Sequence, residues 1–388
     1  MTTMTAASNP IERVRSLAPL IRAHSDEMEA ARQMPRPLVD ALIGQNLFRI
    51  HVAKYAGGEQ LSPVDGYPAY EEAARIDGST AWNLSIGASS GLLWGSLEES
   101  VGLDIWGAPE SIVAGAIDPR SAMATPVDGG YRVSGRWSFA SGCQQATTLL
   151  AGCVMVKDGA PMMGPGGPEI IVAFLPASAV QIIDTWTTTG LRGTGSNDFA
   201  VQDVFVPANR AFRIAEQPRR PEATSGLSIV SAFTAAVGAV PLGIAQHAFD
   251  AFIELATNKT PLGAIGTLRE RGHAQLVVAE AAVLIEAARE LYYARLRDTC
   301  AVGATGQSPT TEQRARLRMA AINTAVSGTR AVDLLFAAAG GTAVYARCEL
   351  ERCLRDIHTT AQHVAVSVAQ YESVGRVLMG LDPSTPFF

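Results

Sequence analysis

Two helix-rich stretches flanking one strand-rich stretch do most to narrow what this 388-residue chain can fold into. Ile11-Glu12-Arg13-Val14 opens a 3.6-residue apolar pattern that continues through Leu20, Ile21 and Ser25-Asp26-Glu27. Pro35 and Pro37 interrupt it, and helical patterns resume over 38–47 and 67–75. Asp77-Gly78-Ser79-Thr80 supplies a turn and an N-cap for the helix that Ala81-Trp82 begins. Between about 112 and 210 the period changes to two. Residues 131–135 and 199–207 alternate, and 170–175 form a continuous apolar run closed by Pro176. The Gly- and Pro-rich segment 158–168 reads as an exposed loop. From about 225 the helical pattern returns. Three long Ala-, Leu-, Glu- and Arg-rich stretches, 267–299, 310–339 and 349–379, describe an antiparallel bundle. The expected fold is α+β and mostly α. It has an N-terminal helical domain (1–115), a small central β domain (116–215) and a C-terminal four-helix bundle (216–388). Strands and helices do not alternate, which excludes a doubly wound sheet.

Hydrophobic residues make up 47% and charged residues 18%, so the chain has ample material for a core. A net charge of -6 without basic blocks argues against nucleic acid and anionic membrane surfaces as partners. The apolar stretch 229–245 contains Ser231, Thr234, Gly238 and Pro241 with no adjoining basic cluster, and reads as a buried bundle helix. Residues 1–10 are polar and lack an apolar signal core, so no export and a cytoplasmic location are expected. Cys143, Cys153, Cys300, Cys348 and Cys353 are odd in number and form no CxxC pair, the pattern of reduced thiols.

Gly193-Thr194-Gly195-Ser196 imitates a dinucleotide loop, but Asp198 stands where the third glycine belongs and a strand follows. No helix N-terminus is then available for a pyrophosphate. His358 and His363, five apart on an expected helix, point roughly 140° apart and cannot chelate one metal. Alone, His363 reads as an ordinary core or surface histidine. Ser141 lacks a G-x-S-x-G elbow and alone is a turn serine. Trp137 and Phe139 alternate with it as either core or a wall beside a flat ring.

Several segments together carry a resemblance: Gly-Arg-Trp-Ser-Phe-Ala-Ser-Gly-Cys at 135–143, Asp184-Thr185-Trp186, Gly-Leu-Arg-Gly-Thr-Gly-Ser-Asn at 190–197, and Asp-Val-Phe-Val-Pro at 203–207. Asp-Gly-Ser-Thr-Ala-Trp at 77–82 and the Arg-Asp-x-His-x4-His run at 355–363 extend it. Over nearly the whole chain, the sequence resembles the group D flavin-dependent monooxygenases. These include steroid-ring hydroxylases, 4-hydroxyphenylacetate hydroxylase oxygenase components and dibenzothiophene monooxygenases.

The resemblance implies an acyl-CoA dehydrogenase fold and a homotetramer built as a dimer of dimers. It implies that a separate NAD(P)H-dependent flavin reductase supplies reduced FMN or FAD. O2 then adds at flavin C4a, and the hydroperoxide hydroxylates an aromatic or polyketide-like small molecule. It assigns His363 as catalytic base and Ser141 to the flavin N5 and peroxide. Phe139 packs near the ring beside Trp137, with Thr194 and Ser196 on the opposite side. Ser121 reaches the pyrimidine edge or phosphate, Lys259 reaches a neighbouring subunit's flavin, and Ser90 and Trp82 lie near substrate. His358 is expected to be structural.

Three rivals stand beside this reading. An FAD-dependent acyl-CoA dehydrogenase needs a carboxylate base. By the resemblance, the two places for one hold Val364 and Phe233, and Ile117-Asp118-Pro119-Arg120-Ser121-Ala122 replaces that family's flavin loop. A flavin-dependent N-oxygenase of an amine or amino sugar shares the expected fold. A non-enzymatic scaffold is disfavoured by Ser141, His363 and the 190–196 loop. Past His363 the sequence 364–368 is expected to continue the helix, which speaks against a steroid-like pocket.

Overall fold

The computed structural model describes residues 9–164, 167–385 and 388. Residues 1–8, which carry most of the argument against export, lie outside them.

Among the described residues, seven helices come first: α1 (Pro10–Ser16), α2 (Ala18–Ala31), α3 (Arg36–Gly44), α4 (Pro63–Gly66), α5 (Pro68–Ala74), α6 (Gly78–Ser89) and α7 (Glu99–Trp106). Pro35 and Pro37 do interrupt the helical pattern, but they sit at the start of α3, where a missing N–H is harmless. Asp77 caps α6 through the Thr80 N–H at 2.7 Å. Nearly every residue of α6 is buried, because it runs through the interior between the other helices.

The strands follow: β1 (Val113–Ala116), β2 (Ala122–Val127), β3 (Gly130–Trp137), β4 (Thr148–Lys157), β5 (Ala160–Pro161), β6 (Met163–Gly164), β7 (Gly167–Pro168), β8 (Ile170–Pro176), β9 (Gln181–Ile183), β10 (Asp198–Pro207) and β11 (Ala211–Arg213). The main sheet runs β11-β8-β4-β2-β3-β10-β9, with β1 parallel to β4 and β5 at its end. The 158–168 segment, expected as a loop, forms the short ribbons β5, β6 and β7. The Met162 N–H bonds to the Met155 carbonyl at 2.8 Å and holds the ribbon to β4. Trp106 against Phe174 (5.7 Å, edge-on) ties the first helical layer to the sheet.

Five further helices follow among the described residues: α8 (Ile229–Asn258), α9 (Gly272–Ala304), α10 (Thr311–Ala339), α11 (Glu349–Thr360) and α12 (Tyr371–Leu378). By length and composition α8 could cross a membrane, yet 83% of its most apolar window is buried inside the fold. The Thr310 and Gln313 side chains close a capping box on α10. Thr267 makes the same box on a separate 3-10 turn, which is why α9 starts later than its sequence pattern suggests.

The stretch 349–379 is not one helix. At the end of α11, Thr359 and Thr360 turn their hydroxyls back to the Arg355 and Asp356 carbonyls at 2.9 and 2.8 Å. β-Branched Val364, Val366 and Val368 then disfavour continuation. His363 therefore sits in the turn beyond α11, and the 140° separation from His358 no longer applies.

Candidate active site

Ser141 follows Phe139 at the end of β3. Phe139 has φ +65°, a left-handed conformation costly for a side chain of its size. That backbone leaves the ring 69% exposed, edge-on to Trp186 at 6.1 Å, while Ser141 two residues later is buried. An exposed aromatic face beside a buried hydroxyl is what a flat heteroaromatic ring needs.

Two distant segments bond to Ser141, and a third packs on one of them. Trp82 of α6 donates its indole N–H to Ser141 Oγ at 2.9 Å. Ser141 and Ser196 Oγ are 2.7 Å apart, as are Ser196 Oγ and Thr194 Oγ1. Thr194 Oγ1 donates to the Leu191 carbonyl at 2.8 Å. The His363 ring meets the Trp82 indole edge-on at 5.2 Å.

His363 Nδ1 accepts the Ala365 backbone N–H at 3.2 Å. Burial lowers its pKa to about 4, so the ring is neutral at pH 7. With Nδ1 accepting, the proton sits on Nε2. The ring then presents a donor, and the base role expected from the sequence does not follow from this tautomer.

The glycines of 190–196 serve close packing. A Cβ on Gly190 would lie 2.1 Å from the Arg355 carbonyl oxygen, and one on Gly193 would lie 2.2 Å from Met28 Cγ. Two residues of α11 clamp the loop. Arg355 Nη1 donates to the Thr189 carbonyl at 2.6 Å, and Asp356 Oδ1 accepts the Leu191 N–H at 2.6 Å. Burial, with Asp77 and Glu29 nearby, raises the Asp356 carboxyl to about 7. Asn83 Nδ2 bonds to the Gly193 carbonyl at 3.1 Å, and its buried Oδ1 is left without a partner. An orphaned acceptor one residue from Trp82 also fits a missing polar ligand. Sequence reading missed Asn83 and Asp356. Both stood inside or beside quoted motifs, next to Trp82 and at the Asp of the Arg-Asp-x-His run.

Other expected residues sit elsewhere. Trp137 is buried, stacked on Phe199 at 4.7 Å, and donates to the Gly152 carbonyl at 2.7 Å, so it belongs to the sheet core. Ser90 is fully buried with Oγ 2.6 and 3.0 Å from the Gly87 and Val113 carbonyls, which leaves no free hydroxyl for a substrate. Lys259 Nζ donates to the Ala339 carbonyl at 2.6 Å, capping α10 of its own chain. Ser121 is exposed at the start of β2. His358 pairs with Asp333 at 2.8 Å. Val364 is exposed and Phe233 packs against the apolar cluster between sheet and helices. Among the described residues, no carboxylate is hydrogen-bonded to Ser141, Trp82 or His363. All five cysteines are free thiols.

Residues 12–99 match the N-terminal domain of acyl-CoA dehydrogenases and 235–368 their C-terminal domain. The indole-3-acetate monooxygenase of Acinetobacter baumannii is 30% identical over 367 residues, spanning 94% of this chain and 92% of that protein. The FADH2-dependent resorcinol hydroxylase oxygenase component of a Rhizobium species is 27% identical over 401 residues, spanning 96% and 94%. The crystal structure of 3-HSA hydroxylase from Rhodococcus sp. RHA1 superposes with TM-score 0.90 at 27% identity, over 98% of this chain and 99% of that one. The chain belongs to the flavin-dependent monooxygenases built on the acyl-CoA dehydrogenase fold. It is a reduced-flavin-dependent enzyme, and its fold is the one the sequence led us to expect.

Proposed function

We propose that this protein is the oxygenase component of a two-component system that hydroxylates an aromatic small molecule. A separate NAD(P)H-dependent reductase supplies reduced FMN or FAD. The observation that carries this reading is the Trp82–Ser141–His363 cluster near the exposed Phe139 ring, with no carboxylate among its hydrogen-bond partners in the described residues. When bound, reduced flavin activates dioxygen and supplies the oxygen atom that is transferred.

The protein's own part is positional. Phe139 offers a face for the ring. Ser141, held by Trp82 and Ser196, places one hydroxyl oxygen at its edge. His363 directs Nε2–H toward a substrate oxygen and stabilises negative charge there. The buried hydroxyls and indole keep bulk water from the reacting edge. Exposed apolar residues at the bundle ends, Leu262, Ile265, Val344 and Tyr345, suit burial in a homotetramer. Free thiols suit a cytoplasmic location.

Ser141→Ala tests this reading. With reduced flavin, O2 and a phenol that the parent enzyme hydroxylates, the variant should release hydrogen peroxide instead of product. The product formed per O2 consumed should fall by about tenfold, the order expected when one well-placed hydrogen bond worth about 1.4 kcal/mol is lost. An unchanged yield would remove Ser141 from the site.

A further inference from the structure

Away from the Ser141 cluster, one sulfur stands in a setting unlike that of the other thiols. Cys353 and Glu349 lie one turn apart on α11, and both bond to His247 of α8. Glu349 Oε2 lies 3.3 Å from His247 Nε2, and the Cys353 thiol hydrogen-bonds to the same imidazole. Burial opposes charge on His247, but Cys353 and Glu349 outweigh it and hold the ring's pKa well above its ordinary value. Glu349 is in turn held below the usual carboxylate range by its hydrogen bond to His247, with Arg22 and Arg352 adding positive charge. A cation bonded to a cysteine favours the thiolate, which is the nucleophilic form.

The remaining cysteines lack this partner. Burial pushes Cys143 up to about 11, and Cys153 and Cys300 up to about 12, so all three stay protonated and inert at neutral pH. Cys348 is half-buried at the N-cap of α11, and among the described residues no imidazole or guanidinium bonds to its sulfur. Cys353 itself is 2% exposed, which shuts out bulky reagents. The groups beside it open to solvent, with Glu349 55% and His247 14% exposed, so a small neutral oxidant has an approach along the imidazole.

We propose that Cys353 is an oxidation site for hydrogen peroxide, activated by His247 and Glu349. The thiolate sulfur attacks one peroxide oxygen; the S–O bond forms as the O–O bond breaks. Sulfur is oxidised by two electrons to sulfenic acid and the peroxide is reduced. The departing hydroxide takes the proton of the His247 imidazolium and leaves as water. Glu349 keeps the ring in place while solvent returns the proton. Reduced flavin and O2 release hydrogen peroxide when no substrate takes the oxygen, so on the flavin reading above the oxidant arises in the protein itself. Reactivity toward added peroxide stands without that reading.

The test exposes the full-length protein to hydrogen peroxide at about pH 7, where His247 is charged, and then removes the oxidant with catalase. The protein is unfolded in denaturant containing dimedone, which tags sulfenic acids, and peptide mass mapping reads each cysteine. Cys353 should be tagged at least about tenfold faster than Cys153 or Cys300, and faster than Cys348. His247→Gln removes the cation and should slow tagging of Cys353 by about tenfold, with the other cysteines unchanged. Glu349→Gln changes a half-exposed side chain that the fold tolerates, and should slow it by about threefold. Tagging of Cys353 no faster than of Cys153 in the parent protein, which needs no variant, would overturn the proposal. So would an unchanged rate in folded His247→Gln. Either result leaves the flavin reading standing.

Discussion

His363→Ala is expected to lower kcat/KM for hydroxylation by about 100-fold, the order seen when one preorganised donor is removed from a reacting centre. Reduced-flavin affinity should stay within about twofold, because His363 meets Trp82 only by an edge-on ring contact and makes no hydrogen bond to Ser141. The donor role makes a further claim. His363 Nδ1 is occupied by the Ala365 N–H, and burial holds the ring neutral above about pH 4. His363→Gln retains an N–H donor with similar reach and should recover at least tenfold of the loss. Between pH 5 and 8 the kcat/KM profile should contain no ionisation belonging to His363. A histidine acting as general base predicts the reverse: no recovery by glutamine, and a pH limb that vanishes with the ring. Activity measured across this pH range for the three proteins decides between them.

The second large effect concerns stability. Asp356 is fully buried, and desolvation raises its carboxyl from 3.8 to about 7, opposed by the Leu191 N–H. The folded state thus binds a proton that the unfolded state releases between these values. Its contribution is most favourable below pH 3.8 and is lost as pH rises through about 7. Ionising it inside the fold costs roughly 4 kcal/mol by the pKa difference. Asp356→Asn keeps an acceptor for Leu191 but only a neutral one, which offsets part of that gain. The variant should be about 2 kcal/mol more stable than the parent at pH 8, with the difference vanishing near pH 4. Asp356→Ala should be destabilised at both pH values, since the buried Leu191 N–H loses its partner. Urea unfolding at pH 4 and pH 8 measures all three. His51 has the opposite dependence. It is fully buried and lowered to about 4, so its stability is intact above pH 6.5 and is lost as pH falls through about 4. The difference between Asn variant and parent isolates Asp356 from this background.

What could be read from the sequence was chiefly local. A local cap located α6 behind Asp77, and composition located α10 over 310–339, because both signals are carried by the segment itself. The break after Thr360 was missed although Thr359, Thr360, Val364, Val366 and Val368 are weak helix formers, because tertiary context often overrides propensity. Only the two threonine hydroxyls, bonded back along α11, reveal why the helix ends there. Motif resemblance singled out Ser141 and the 190–196 loop, but not how they are joined. Trp82 lies 59 residues from Ser141 in sequence and Asp356 lies 165 from Leu191, separations that no periodicity reports. Trp137 alternates with Phe139 along one stretch, yet the left-handed turn at Phe139 sends one ring outward while the sheet keeps the other inside. Ser90 and Lys259 are polar residues whose backbone partners are fixed only by the tertiary fold.

Transfer of oxygen from O2 is the central claim, and isotope labelling tests it most directly. The purified protein is given reduced FMN or FAD by an added NADH-dependent reductase, under 18O2, with a panel of phenols and indoles. The account predicts a hydroxylated product carrying one 18O atom, formed only when reduced flavin is supplied. A protein that yields no labelled product, retains tightly bound oxidised FAD through purification and is bleached by an acyl-CoA thioester would contradict it.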